Sequence, residues 1–187
     1  MTGMKNTKQL ALCSVLTALA LALSYAERFI PLQLLVPLPG LKLGLANIVT
    51  LLALYLMGSK SAFMILISRC LLGSLFGGGI TGLLFSLLGG VLAMSVMTAV
   101  KGIPLFSIYG VSVLGAAAHN IGQILAAAVL MRSVYIAAYL PWLLAVGILT
   151  GLLTGGLTAM ILGLLSRAHI LPPSRSGLIQ GGIHHEA

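Results

Sequence analysis

The sequence alternates between apolar stretches of membrane-spanning length and short segments rich in proline, glycine or charged residues. A helix needs about 20 apolar residues to cross the hydrocarbon core of a bilayer. Six stretches are candidates, and they cover residues 8–26, 44–58, 61–77, 80–100, 105–131 and 141–165. With 59% hydrophobic and 6% charged residues, the chain is too apolar for a domain that faces water on all sides. We therefore predict an all-α, polytopic membrane protein built as a bundle of six transmembrane helices.

The positive charges between the spans predict how the bundle is oriented. With six spans, both termini lie on the same side of the membrane. That side carries Lys5, Lys8, Lys60, Lys101, Arg167 and Arg175, whereas the other side carries Arg28, Lys42 and Arg132. Because cytoplasmic loops are enriched in Lys and Arg, we predict that both termini are cytoplasmic and that the protein is a multi-pass component of the plasma membrane.

This topology divides the chain into three parts. Residues 1–7 form a cytoplasmic N-terminus, residues 8–165 form the six-helix transmembrane domain, and residues 166–187 form a flexible cytoplasmic tail. Within the domain, the loop 27–43 contains the apolar stretch 31–40, in which Pro31, Pro37 and Pro39 break helices. We predict that this loop is an extracellular lid folded over the bundle.

The residue types that are missing exclude several classes of function. The chain has two Glu and no Asp, so it lacks the paired carboxylates that hold Mg²⁺ or perform acid–base chemistry. It has no P-loop motif, its Lys and Arg residues are too scattered for a nucleic-acid surface, and Cys13 and Cys70 lack metal-type spacing. We predict a protein that is not an enzyme and has no metal, cofactor or nucleic-acid partner.

Polar residues inside the predicted spans indicate a binding site, because such residues are costly in lipid. They concentrate in the outer half of the bundle and at its rim, which predicts a pocket lined from spans two to six. The predicted substrate-binding residues are Glu27, Lys42, Asn47, Arg69, His119, Asn120 and Gln123. Alternatively, the polar side chains within the spans satisfy one another or free backbone carbonyl groups.

Arg69 is the strongest of these candidates, because a guanidinium group in the middle of a membrane needs an anion. One possibility is an ion pair with Glu27. If Glu27 instead pairs with Arg28 or Lys42, Arg69 is left for a phosphate or carboxylate group of a ligand. The sequence leaves both possibilities open.

Two predicted spans carry a ridge of small residues at every fourth position, which allows another helix to approach closely. In the last span this ridge is Gly147, Gly151, Gly155, Ala159 and Gly163, and we interpret it as packing within the protein. In the first span it is Ser14, Ala18, Ala22 and Ala26. That ridge either packs within the protein or docks a separate membrane subunit.

Two segments carry a resemblance to a known family. Residues 24–31 (SYAERFIP) and 39–47 (PGLKLGLAN) resemble the membrane family known either as Gx transporter or as heptaprenyl diphosphate synthase component I. Through its size, its six spans and the small ridge on its first helix, this family is similar to the substrate-binding (S) components of energy-coupling factor (ECF) importers.

The resemblance to ECF S components implies a mechanism. Such a subunit binds a vitamin or metabolite from outside and docks through an Ala-xxx-Ala face of its first helix onto a transmembrane coupling protein, and two ATPase subunits drive the cycle. Here the docking face would be Ser14, Ala18, Ala22 and Ala26, with Ser14 in place of Ala. We therefore expect a noncatalytic importer subunit that lies in membrane lipid and binds a small molecule. The resemblance to the family implies a ligand linked to isoprenoid, quinone or flavin chemistry, and no residue of the sequence chooses among these three.

The name of the family suggests a second hypothesis, although prenyl-chain elongation uses Asp-rich motifs to hold Mg²⁺ and this chain has no Asp. The chain could instead be a noncatalytic membrane component associated with heptaprenyl diphosphate or quinone biosynthesis. An ion- or proton-coupled carrier is a weaker third hypothesis, because the transmembrane region has a single carboxylate and no detectable inverted repeat.

Overall fold

The structure is a computed structural model, and it describes residues 2–29 and 44–168 of the chain. All regular secondary structure in this part is helical. The α-helices are α1 (Thr2–Ala26), α2 (Asn47–Met57), α3 (Ser59–Gly73), α4 (Gly79–Val100), α5 (Ile108–Met131) and α6 (Leu140–Arg167). Residues 30–43 of the predicted lid and the predicted tail from residue 169 lie outside the described residues.

Four helical segments are long and apolar enough to cross a membrane: Thr7–Ala26, Ser59–Val100, Ile108–Met131 and Val134–Arg167. Helix α2 has 11 residues and is therefore about 17 Å long, well short of the hydrocarbon thickness of about 30 Å. The prediction of an all-α, multi-pass membrane protein is confirmed with four candidate spans. Six separate crossings remain a prediction.

The segment Ser59–Val100 is not one continuous helix, because the chain reverses in its middle. Leu66 and Gly90 are 24 positions apart, which is about 36 Å along a straight helix. Nevertheless, an ideal Cβ atom on Gly90 would lie 2.6 Å from Leu66 Cδ1. The helix is interrupted at Phe76 and Gly77, where Gly77 has a φ of 92°, in the left-handed region that favours glycine. Helices α3 and α4 therefore form an antiparallel pair, as the glycine-rich break in the sequence predicts.

Two hydrogen bonds align the helix ends that carry the predicted cytoplasmic charges. Gln9 Nε2 donates to Ser61 Oγ at 3.0 Å and joins the start of α1 to the start of α3. Lys101 Nζ donates to the backbone oxygen of Leu54 at 2.7 Å and joins the end of α4 to the last turn of α2. The segments that contain Lys8, Lys60 and Lys101 consequently gather at one end of the bundle.

Glycine residues allow α5 to pack closely between α4 and α6. An ideal Cβ on Gly122 would lie 2.6 Å from the Leu88 carbonyl oxygen on α4, and one on Gly151 would lie 2.7 Å from Val113 Cα on α5. Neither neighbour can yield, because both are backbone atoms. The small ridge of the last span therefore packs inside the protein at Gly147, Gly151 and Gly155, as predicted, whereas an ideal Cβ on Gly163 meets no described atom within 4 Å.

The small ridge on α1 has the opposite environment. Ser14, Ala18, Ala22 and Ala26 are all exposed, whereas Leu16 and Ala20 on another side of the same helix are buried. In the part of the chain that the structure describes, no other helix covers this ridge.

Candidate functional site

The centre of the candidate site is the side chain of Arg69, which α3 places in the interior of the bundle with 6% of its surface exposed. Its Nη1 donates to Ser24 Oγ of α1 at 3.3 Å, and its Nη2 donates to Asn47 Oδ1 of α2 at 3.1 Å. Its buried Nε has no hydrogen-bond partner within the described residues. Among the described residues, the cation is thus held by two neutral oxygen atoms, and its Nε–H group has no acceptor.

A cavity of about 380 Å³ adjoins Arg69, and this volume is typical of pockets that bind small molecules. It lies between α1, α3 and α4 and reaches the turn that connects the last two. The residues that line it are Leu21, Ala22, Ser24, Tyr25, Arg69, Cys70, Gly73, Ser74, Phe76, Gly78, Gly82 and Ser86. Among these, Arg69 carries the only formal charge, and the rest are apolar or bear a hydroxyl or thiol group.

Glu27 lies beyond the end of α1 and is buried. Its Oε1 accepts a hydrogen bond from the backbone N–H of Leu45, just before α2 begins. Both described hydrogen bonds of the Arg69 guanidinium go to Ser24 and Asn47, so the first of the two possibilities, an ion pair with Glu27, is not observed between these two described side chains. Lys42 lies outside the described residues.

His119 and Gln123 contact each other on one face of α5. Their Nε2 atoms are 3.0 Å apart, as expected for residues four positions apart in a helix. The His119 ring also packs against Gly44, because an ideal Cβ there would lie 3.2 Å from His119 Cδ2 and 2.9 Å from Asn47 Nδ2. Arg69, Asn47, His119 and Gln123 therefore form one buried polar row. Of these four, only Arg69 lines the cavity.

Asn120 lies apart from this row. Its Nδ2 donates to the backbone oxygen of Leu143 on α6 at 2.6 Å, and an ideal Cβ on Gly147 would lie 2.5 Å from the same nitrogen. Asn120 therefore joins α5 to α6, which matches the alternative in which buried polar side chains satisfy backbone carbonyl groups.

The cavity lies between α1, α3 and α4, whereas the predicted pocket is lined from spans two to six. A void near Asn47, Ser112 and Thr154 in that region has a volume of only about 10 Å³, room for one water at most. The predicted set also omits Ser24, Tyr25 and Phe76, which line the larger cavity. A signal for two of them was present, because Ser24 and Tyr25 are the last polar side chains before Glu27 at the outer end of the first span.

No group of three or more His, Cys, Asp or Glu side chains that could hold a metal ion occurs among the described residues. The exposed ridge of α1, comprising Ser14, Ala18, Ala22 and Ala26, is the second candidate functional surface. Ala22 belongs to both features, because it also lines the cavity.

The chain matches one family model, described as heptaprenyl diphosphate synthase component I, over residues 16–161. The match begins inside α1 and ends inside α6, so it covers the cavity and most of the exposed ridge. No curated protein and no solved structure matches the chain.

Proposed function

Because this chain belongs to the heptaprenyl diphosphate synthase component I family, we propose a specific role within that membership. The protein is the substrate-binding membrane subunit of an ATP-driven, ECF-type importer of a small molecule, and it has no catalytic activity of its own. A transmembrane coupling protein and two ATPase subunits supply the transport energy. The ligand enters from the outer side of the membrane.

The observation that carries this proposal is the cavity beside Arg69. A buried cation is costly inside a membrane protein and is commonly part of a substrate or ion pathway. Here the cation borders a cavity of about 380 Å³, so a small molecule can reach it. A protein that only held other subunits together would gain nothing from a ligand-sized space beside an incompletely satisfied charge.

The exposed ridge of α1 supports the part of the proposal that concerns partners. Small residues in a transmembrane helix let a second helix approach closely, and Ser14, Ala18 and Ala26 face away from the rest of the described protein. In the comparable ridge of α6, Gly147, Gly151 and Gly155 are already covered by α5. The α1 ridge therefore suits a helix from another membrane subunit.

In the proposed topology, the protein crosses the plasma membrane six times, and both termini lie in the cytoplasm. The reversal between α3 and α4 supports two crossings within the segment Ser59–Val100. The clustering of Lys8, Lys60 and Lys101 at one end supports a cytoplasmic position for that end. Helix α2 then forms the core of a short second crossing.

A second candidate function is a noncatalytic membrane component associated with heptaprenyl diphosphate or quinone biosynthesis, and the description of the matched family favours it. The absence of Asp from this chain then requires a partner that provides the carboxylates for Mg²⁺. Such a partner would be a soluble enzyme rather than a membrane coupling protein.

Copurification distinguishes the two functions. We expect the tagged protein, extracted in mild detergent from its native membrane, to retain a transmembrane coupling protein and paired ATPases. Ala18→Leu should reduce their recovery by about tenfold, a loss of about 1.4 kcal/mol, because a bulky side chain separates the helices. Ala145→Leu is the matched control, since Ala145 is also exposed but lies on α6.

Wild-type recovery of the coupling complex with Ala18→Leu would reject the docking face. Recovery of a soluble, Asp-rich prenyl synthase in place of the coupling complex would reject the importer and support the second function.

A further inference from the structure

We infer that the cavity between α1, α3 and α4 binds a small amphipathic anion. A carboxylate or phosphate group contacts the Arg69 guanidinium, and an apolar body fills the remaining space. This inference rests on the proposed function, because it assigns a chemical class to the molecule that the importer subunit would capture.

The positive charge of Arg69 has no counter-charge among its described hydrogen-bond partners. The Arg69 side chain is 6% exposed, and its described hydrogen bonds go to the neutral oxygens of Ser24 and Asn47. A guanidinium group presents its N–H donors in a planar fork that matches carboxylate and phosphate oxygens. Since Nε has no described partner, the fork is incompletely used, and an anion would supply both the missing acceptor and the missing charge.

The described residues that line the cavity leave the charge of Arg69 unbalanced. None of the described residues that line the cavity is Asp or Glu. Glu27 does not line it, and its carboxylate accepts a hydrogen bond from the N–H of Leu45. The described part of the wall therefore carries a net positive charge, which favours an anionic ligand over a neutral or cationic one.

The lining of the cavity combines apolar surface with hydroxyl groups. Leu21, Ala22 and Phe76 form apolar wall, three glycines leave space, and the hydroxyl-bearing residues Ser24, Ser74 and Ser86 also line the cavity. A bare inorganic anion would leave the apolar wall unused, whereas an uncharged hydrocarbon would leave Arg69 without a counter-charge. An anion with an apolar body would pair with Arg69 and also contact the apolar wall.

The test uses naphthoate and its uncharged amide, naphthamide, as probes. Both are titrated calorimetrically into the full chain in phosphatidylcholine nanodiscs. A charge-assisted hydrogen bond to Arg69 predicts that naphthoate binds roughly 10- to 100-fold more tightly than naphthamide. Arg69→Gln should abolish this preference. Equal affinity of the wild type for the two probes would overturn the inference.

A second pair of variants tests whether naphthoate binds in this cavity, without altering Arg69. Gly82 lines the cavity, and an ideal Cβ there meets no atom within 4 Å, so a Gly82→Leu side chain has room at its Cβ and should occupy part of the cavity. It should weaken naphthoate binding by at least about tenfold, because the probe loses its apolar contacts. Gly163→Leu is the matched control, since Gly163 also has no atom within that distance and lies on α6 outside the cavity. Wild-type affinity in Gly82→Leu would overturn the assignment.

Anionic lipid headgroups share this chemistry, and a further measurement identifies the source of the anion. Naphthoate is titrated again in nanodiscs in which phosphatidylglycerol replaces part of the phosphatidylcholine. Unchanged affinity supports a water-borne anion. Weaker affinity that depends on Arg69 indicates that a lipid headgroup occupies the cavity. This result would support anion binding by the cavity but would count against the importer. Docking through Ala18 is measured independently, so the two proposals can fail separately.

Discussion

Buried polar side chains in this bundle differ in whether their hydrogen bonds are complete. Asn120 and Asn47 illustrate the contrast, because each is buried and each bridges two helices. Asn120 binds a backbone carbonyl group, which is a neutral and permanent acceptor. Asn47 binds the guanidinium of Arg69, whose remaining donors border a cavity. Only the second arrangement leaves charge that a ligand could neutralise.

We predict that Asn47→Ala and Asn120→Ala have similar effects on stability but different effects on binding. Each should lower the free energy of unfolding by about 1–3 kcal/mol, since each removes a buried side-chain hydrogen bond that joins two helices. In Asn47→Ala the freed Nη2 of Arg69 becomes available to an anion, so saturating naphthoate should stabilise this variant more than the wild type. Unfolding in mixed micelles, with and without naphthoate, provides the measurement.

Asn120→Ala should gain the same stabilisation from naphthoate as the wild type. A changed response in Asn120→Ala would place this residue at the ligand site. Thr98→Val is a useful control for the unfolding measurement, because the buried Thr98 Oγ1 has no hydrogen-bond partner among the described residues. Its removal should leave stability unchanged or raise it.

The sequence could identify Arg69 as important because a charge in an apolar stretch is costly wherever it points. The sequence could not show that His119 and Asn120 contact different helices. Adjacent helical residues differ by about 100° in direction, and both have a hydrogen-bonding neighbour in Gln123 at helical spacing. Only the positions of α4 and α6 around α5 show that His119 lies against Gly89 while Asn120 faces Leu143.

At the scale of single helices, the spacing of small residues indicates a close-packing face but not its partner. Helices α1 and α6 carry the same four-residue spacing in the sequence. In the structure Gly151 of α6 packs against Val113 of α5, whereas Ala18 of α1 is exposed. The sequence therefore favours internal packing for the face of α6, as the structure has it. It leaves both uses open for the face of α1, because the four-residue spacing does not show which helices are neighbours.

We predict that alanine has opposite effects at two glycines of α6. Gly151→Ala should destabilise the protein by about 1–3 kcal/mol, the usual cost of overpacking, because its Cβ would lie 2.7 Å from backbone atom Val113 Cα. Gly163→Ala should be neutral or stabilising by up to about 1 kcal/mol, since its Cβ meets no atom within 4 Å and alanine favours helix. Unfolding in mixed micelles measures both. Equal effects at the two sites would contradict the close contact between α5 and α6.

At the scale of the whole molecule, the two ends of the bundle have different chemistry. One end holds Lys8, Lys60 and Lys101, and the contacts of Gln9 with Ser61 and of Lys101 with Leu54 keep these helix ends together. The opposite end carries the turn after α3, where the cavity residue Phe76 is 69% exposed. An importer subunit must present that opposite end to the outside.

We predict that a membrane-impermeant maleimide will distinguish the two ends in a background where Cys13 and Cys70 are replaced by alanine. Tyr135→Cys should react in intact cells, because Tyr135 is 91% exposed and follows α5 at the end opposite Lys101. Gly102→Cys, which is exposed beside Lys101, should react only after the membrane is opened. The direction follows from the positive charges, which favour the cytoplasmic side.

The reverse labelling pattern would place the Phe76 end of the cavity in the cytoplasm. A receptor that captures its ligand from outside would then be impossible, whereas the affinity of the cavity for anions would be unaffected. In that case the association with biosynthesis would become the better function, since a soluble synthase could reach the cavity from the cytoplasmic side. Labelling of these two positions therefore tests the transport proposal without requiring any knowledge of the ligand.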